Sequence, residues 1–239
     1  MKTIQKVLNA TRMDLSVMDG GWPAADAHRA SVDRYWRKRI RDNPSFFDGR
    51  VYVLADMRFE GGAFVGRYIE TDFSCFIAWR DGVFPDEDIR DSFAAGLVVS
   101  SDGGILLGRQ RAGNLNAGFI YPPGGFIDRR DVDSQGRIGI IGSAQREILE
   151  ETGIDLSDVR PCPTFRISLA GRIVALGVYW RLALTSTDVL RIAEAHIGRH
   201  PDGELEACVM VHSAEEVAAL PVPDYAKGLV RDVLTSYPE

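Results

Sequence analysis

Apolar positions recur along this chain in helical and strand rhythms that predict a succession of mixed elements. Ala25, Val32, Trp36 and Ile40 fall on a related stripe, which predicts a helix over 24–41 ended by Asn43-Pro44. Arg50 to Phe59 and Ala63 to Glu70 read as strands flanking the turn Glu60-Gly61-Gly62, with Cys75 to Arg80 as a third strand. Pro85-Asp86-Glu87-Asp88 then marks a boundary. Beyond it, Phe93 to Ser100 and Ile105 to Gln110 read as apolar strands joined through Asp102-Gly103-Gly104. A helix follows, with Ser143 as N-cap before Ala144 and Gly153 at the position that favours a left-handed residue. Later come strands over Thr164 to Ser168 and Ile173 to Leu184, a helix over Ser186 to Ile197, a strand over Leu205 to Val211 and a closing helix over Pro223 to Leu234. Strands mixed with helices in this order suit a sandwich better than a doubly wound sheet.

The helix ending at Gly153 carries the most informative chemistry. With residues advancing about 100° each, Glu147, Glu150 and Glu151 fall within an arc of roughly 100°. Ile148, Leu149 and Thr152 occupy the other side, expected to pack inward, and Arg146 lies beside Glu150. Like charges three and four apart destabilise a helix by a few tenths of a kcal/mol each, and by more when shielded from water. A hard divalent ion with oxygen ligands, Mg2+ or Mn2+, offsets that repulsion; the plainer alternative is a solvated acidic face.

The string Arg146-Glu147-Ile148-Leu149-Glu150-Glu151-Thr152-Gly153-Ile154, preceded by Pro123-Gly124-Gly125, resembles the Nudix box. Its second half matches at every fixed position, whereas the first half departs. Five residues after Gly125 stands Asp131 instead of Glu, and fourteen residues in place of seven separate Asp131 from Arg146. Asp131 to Ile141 reads as an enlarged loop turning at Ser134 to Gly136, with Asp128 or Asp131 available to orient Arg146. The resemblance implies an α/β/α sandwich around a mixed sheet over 92–239, with residues 1–91 as a small N-terminal α/β extension and specificity module. It further implies a metal-dependent hydrolase of a nucleoside diphosphate linked to another moiety, such as ADP-ribose or a nucleoside diphosphate sugar. Carried over residue by residue, Glu147, Glu150 and Glu151 hold the metal, the Gly124 carbonyl adds a ligand and Arg146 steadies the carboxylates. A late acid joins them, with Glu204 favoured over Asp202 and Glu206. The Trp36 helix, Asn43-Pro44-Ser45-Phe46-Phe47-Asp48-Gly49 and the following hairpin resemble the leading region of members acting on UDP-sugars. A non-catalytic nucleotide-sensing module on the same fold, and a diphosphate isomerase, are the competing readings.

Composition narrows the remaining choices. The 239 residues are 45% hydrophobic and 26% charged, ordinary values for a chain with a real core, and the net charge of -6 argues against a general nucleic-acid binder. No apolar run approaches the ~20 residues that span a bilayer, and no signal-peptide pattern opens the chain, so a cytoplasmic location is expected. A homodimer is compatible with the sequence. Cys75, Cys162 and Cys208 are scattered and read as reduced thiols. His196 and His200 have a spacing compatible with zinc, although exposed helix-end histidines are commoner. No Gly-Lys-Ser/Thr follows the Gly103-Gly104 turn, which excludes a Walker-type loop. Arg109, Arg111 and the 112–118 stretch are candidates to contact substrate phosphate or base. Arg34, Arg37, Lys38, Arg39 and Arg41 form either a phosphate-facing surface or a solvated helix face.

Overall fold

The computed structural model describes residues 5–44 and 46–236; residues 1–4, 45 and 237–239 lie outside them. The strands are β1 (Gln5–Ala10), β2 (Arg12–Val17), β3 (Arg50–Glu60), β4 (Ala63–Asp72), β5 (Asp91–Val99), β6 (Ile105–Gln110), β7 (Ile120–Tyr121), β8 (Gly124–Phe126), β9 (Phe165–Ala170), β10 (Ile173–Arg181) and β11 (Leu205–Val211). The helices are α1 (Pro23–Ala27), α2 (Arg29–Asp42), α3 (Phe73–Arg80), α4 (Ile140–Thr152), α5 (Ser186–Arg199), α6 (Ala214–Ala219) and α7 (Asp224–Thr235). Contacts divide the chain into two compact units, one of residues 1–12, 93–125 and 140–239, the other of residues 13–92 and 126–139.

The first unit is built on a mixed sheet ordered β1-β9-β10-β5-β6-β11, with β7 beside β6 and β8 beside β5. Successive side chains of a strand point to opposite faces, and here the two faces have different partners. Ala95, Leu97 and Val99 of β5 join Ala175 and Tyr179 of β10 in one cluster with Tyr225, Ala226, Leu229, Val230 and Val233 of α7. On the other face Ile148 of α4 sits on Gly96, where an added Cβ would meet its Cδ1 at 2.4 Å. Helices therefore cover both faces of the sheet, and the expected α/β/α sandwich is what forms.

The second unit holds the antiparallel sheet β2-β4-β3 with α1, α2 and α3. Gly61 and Gly62, both at positive φ, close the β3–β4 hairpin with Glu60 paired to Ala63. Two positive φ values in succession match the twist of the flanking strands, and only glycine adopts them without strain. Trp22, Trp79 and Phe84 pack edge to face beneath α3, and the indole N–H groups of Trp22 and Trp79 both donate to Asp86.

Several expectations change. The segment read as a third strand over Cys75 to Arg80 is α3, in which Ser74 to Trp79 are all buried. An apolar run enclosed on every side has no alternation to betray its period, so pattern alone cannot separate strand from helix there. The third strand is instead β2, which was not foreseen, nor were β1, β7, β8 and α6. The first helix breaks at His28 into α1 and α2. Helix α4 starts at Ile140, so Ser143 lies inside it, fully buried, and is no N-cap. The inserted loop is ordered: a 3-10 turn over Arg129–Asp131 is followed by a turn in which Asp133 accepts from the backbone of Gln135 and Arg137. Ile138 N–H then donates to the Leu15 carbonyl at 3.0 Å and Val17 N–H to that of Gly136 at 2.8 Å, so the loop extends the edge at β2.

Asp91, at the start of β5, has a carboxylate oxygen buried without a hydrogen-bond partner among the described residues. Burial pushes this carboxyl up to about 6 against the opposing charge of Arg80, from an ordinary value of 3.8. Between those values the folded state holds a proton that the unfolded chain has released. Stability attributable to Asp91 is therefore present below about pH 4 and lost as pH rises through about 6, a change of about 3 kcal/mol at most. Urea denaturation across this range should show a shallower decline for Asp91→Asn than for the parent; parallel curves would mean that the carboxyl is solvated in the folded state.

Candidate active site

The acids of α4 do not line an open face. The buried stripe of the helix is Ile140, Ser143, Ala144, Glu147, Ile148, Glu151 and Thr152, so two of the three glutamates share the face that packs inward. Leu149, expected inside, is 45% exposed, and Glu150 projects outward with about half its side chain accessible. The helical wheel had the angles right but the inward direction turned by about a third of a circle. Sheet and α5 together cover the acid side of the helix and leave Leu149 facing out.

What makes room for two buried carboxylates is the Pro123-Gly124-Gly125 segment leading into β8. A Cβ on Gly125 would stand 2.4 Å from Oε2 of Glu147, and one on Gly124 would stand 2.2 Å from the Ala94 carbonyl oxygen. The main chain thus approaches the carboxylate in a way that any side chain would block. The Gly124 N–H also donates to Oε1 of Glu151 at 3.4 Å, a long contact. At its other end α4 stops at Gly153, whose φ of +71° is the left-handed C-terminal conformation expected from sequence. A ring nitrogen of His196 on α5 lies 3.0 Å from the Glu150 carbonyl, satisfying one of the carbonyls a helix end leaves open.

Electrostatically the site is short of positive charge. Arg146 hydrogen-bonds Glu147 and stands 3.9 Å from Glu150. Glu151 has no such cation, and its Oε2 is buried with no hydrogen-bond partner among the described residues. Burial pushes Glu147 up to about 7; Arg146 opposes this, while the charges of Glu150 and Glu204 add to it. Burial, followed by the charges of Glu204 and Glu147, raises the Glu151 carboxyl well above the usual range. Desolvation and the charge of Glu150 raise Glu204 too. The charges of Glu147, Glu150, Glu151 and Glu204 thus enter one another's electrostatics. Of the other late acids, Glu206 stands 3.8 Å from Arg109 on the neighbouring strand, and Asp202, like Glu204, lies exposed.

A divalent ion suits this donor set, because an unpartnered buried carboxylate oxygen and mutually raised acids are what an added cation stabilises. Among the described residues, no three acid, His or Cys side chains are gathered close enough to hold one metal. Glu147 is turned onto Arg146 instead, so assembling the trio about an ion requires that pair to open.

Arg109 stays half-buried on β6 beside Glu206. Arg111, expected at substrate, directs its Nε to the Gly203 carbonyl at 2.8 Å and an Nη to that of Leu205 at 2.7 Å. This use of Arg111 could not be anticipated from spacing, since the carbonyls lie more than ninety residues away. The histidine pair stacks at 4.2 Å, but each ring places a nitrogen on a backbone carbonyl, the arrangement of a helix end. All three cysteines are free, with thiols raised by burial, to about 12 for Cys208. On α2, Arg34, Arg37, Lys38 and Arg41 are exposed with no carboxylate within 4.0 Å among the described residues, whereas Arg39 reaches Asp81 at 4.0 Å. None of the described helices is long and apolar enough to cross a membrane.

No family model matches the chain, and no curated protein does. Among solved structures it is similar to a MutT protein from Methanosarcina mazei Go1, at 17% identity over 62% of this chain and 95% of that one, with a TM-score of 0.42. It is also similar to the NUDIX domain of Shewanella oneidensis NrtR complexed with ADP ribose, at 16% identity over 67% and 94% of the two chains, TM-score 0.41. A C. elegans Ap4A hydrolase, solved as a binary complex, aligns at 17% identity over 61% and 95%, TM-score 0.40.

The glycine approach yields a test. Gly125→Ala places a methyl against the Glu147 carboxylate, whose flexible end must move; the expected cost is about 1–3 kcal/mol, the scale of overpacking. Any rise in melting temperature that Mg2+ gives the parent should shrink or vanish in the variant. An undiminished Mg2+ response would separate Glu147 from the ion.

Proposed function

We propose that this chain is a Nudix-type pyrophosphohydrolase that depends on a divalent metal and cleaves a nucleoside diphosphate linked to another moiety. The observation that carries the reading is the convergence of Glu147, Glu150, Glu151 and Glu204 with Arg146 as their neighbouring cation. Such an arrangement destabilises the fold unless something positive completes it. Glu147, Glu150 and Glu151, with the Gly124 carbonyl, would hold Mg2+ or Mn2+. A bound divalent ion neutralises the diphosphate and acidifies the attacking water.

The chain's own residues then have distinct tasks. Water forms a new O–P bond at one phosphorus of the anhydride, the bridging P–O bond breaks, and the leaving phosphate takes the electron pair. Glu204 receives the water proton, its raised carboxyl making it a better base than an ordinary surface glutamate. Arg146 steadies Glu147 and Glu150 when they are not engaged with a cation. Arg109 is the remaining candidate to meet substrate phosphate. ADP-ribose and nucleoside diphosphate sugars, UDP-sugars included, are the substrates proposed for assay, with residues 1–91 supplying specificity and a cytoplasmic setting.

Such substrates carry no terminal phosphate until the anhydride is cut, so phosphatase-coupled phosphate release with Mg2+ reports cleavage directly. Turnover of at least one panel member is expected, and Glu150→Gln should lower it by about two orders of magnitude or more, the scale of losing one preorganised group at a developing charge. Its circular dichroism should stay unchanged, because Glu150 is not packed in the core. Nucleotide binding without any cleavage would favour a sensing module instead.

A further inference from the structure

We infer that Arg111, together with Asn114, is a positioning residue that fixes the backbone at Glu204, and is not a contact to substrate phosphate. The inference rests on the proposed role of Glu204 as the proton acceptor.

Three consecutive carbonyls, those of Gly203, Glu204 and Leu205, are fixed from the segment just beyond β6. The backbone N–H of Arg111 donates to the Glu204 carbonyl at 2.9 Å. Its Nε donates to the Gly203 carbonyl at 2.8 Å and its Nη2 to that of Leu205 at 2.7 Å. Asn114 Nδ2 adds a second bond to the Glu204 carbonyl at 2.8 Å and one to Gln110 Oε1 at 3.1 Å. Neighbouring carbonyls in a regular strand point to opposite sides, so three that are held from one segment mark an irregular backbone. The register of β11 on β6 shifts between Leu205 and Ala207, directly after this clamp.

The residue enclosed by these bonds is Glu204, the proton acceptor of the proposed reaction. Without these bonds the turn over 201–204 that carries Glu204 is free to shift, and its carboxylate shifts with it. A guanidinium spanning two carbonyls removes that freedom, because its planar fork presents both donors in a fixed geometry. Charge-assisted hydrogen bonds are also the stronger kind. Lysine, a point charge on a flexible stem, offers no such fixed fork.

The test uses the full chain with Arg111→Lys, Asn114→Ala, Glu204→Gln and the double variant Arg111→Lys/Glu204→Gln, assayed on whichever diphosphate substrate the parent turns over. Misplacing a reacting group by about an ångström costs on the order of 100-fold. Arg111→Lys should therefore lose about ten- to a hundredfold in kcat with KM changed less than about twofold, Asn114→Ala somewhat less, and the double variant no more than Glu204→Gln alone. A raised KM with kcat intact, or losses that multiply in the double variant, would overturn the inference and return Arg111 to substrate binding. Hydrogen exchange of the peptide covering 201–206 supplies a readout that needs no activity. It should quicken in Arg111→Lys and Asn114→Ala, and unchanged exchange in both would overturn the clamp. Should the parent turn over no substrate, the hydrolase reading fails while the exchange measurement still decides whether the clamp exists.

Discussion

Like-charged carboxylates placed on the buried face of one helix impose the constraint around which the first unit is arranged. Two glutamates of α4, 9% and 6% exposed, lie where a helix ordinarily places leucine. Their charges are costly in a medium less polarisable than water, and Arg146 is the cation that pairs with Glu147. A protein stable for its own sake would replace such a face with hydrocarbon. Retaining it makes sense when a ligand of opposite charge completes the site, and the raised carboxyls of Glu147, Glu151 and Glu204 record the strain that completion would relieve.

Each neighbouring element accommodates that face. The glycines of β8 let main chain lie against a carboxylate, and Gly96 lets α4 settle on β5 through Ile148. Gly153 ends the helix directly after the acids, and His196 holds the carbonyl of Glu150 from α5. Just before β11, the carbonyls of Gly203, Glu204 and Leu205 are held by Arg111 and Asn114. Apolar packing on the far side, where α7 buries its own stripe against β5 and β10, supplies the stability that permits an unfavourable cluster elsewhere.

The segment before α4 shows how a long loop can hold itself in place. Its extra residues close on themselves through Asp133 and then pair with the edge at β2. They belong to the compact unit of residues 13–92 and 126–139, whereas α4 belongs to the other. The added chain thus finds hydrogen-bond partners of its own and makes no demand on the register of the acids.

Residue spacing alone determined the acid helix, its glycine terminus, the β3–β4 hairpin and most strands of the first unit, because these depend on local periodicity and on glycine's access to positive φ. It also singled out Glu147, Glu150 and Glu151 as candidates, whereas Glu204 came from the resemblance to the Nudix box. Only the tertiary structure decided that Glu147 and Glu151 face inward while Leu149 faces water, that Phe73–Arg80 coils instead of extending, and that β1 and β2 complete sheets begun far away in sequence. Which side of a helix is inside, and which distant carbonyls an arginine such as Arg111 will find, are set by partners that arrive only when remote segments pack, so no local pattern encodes them.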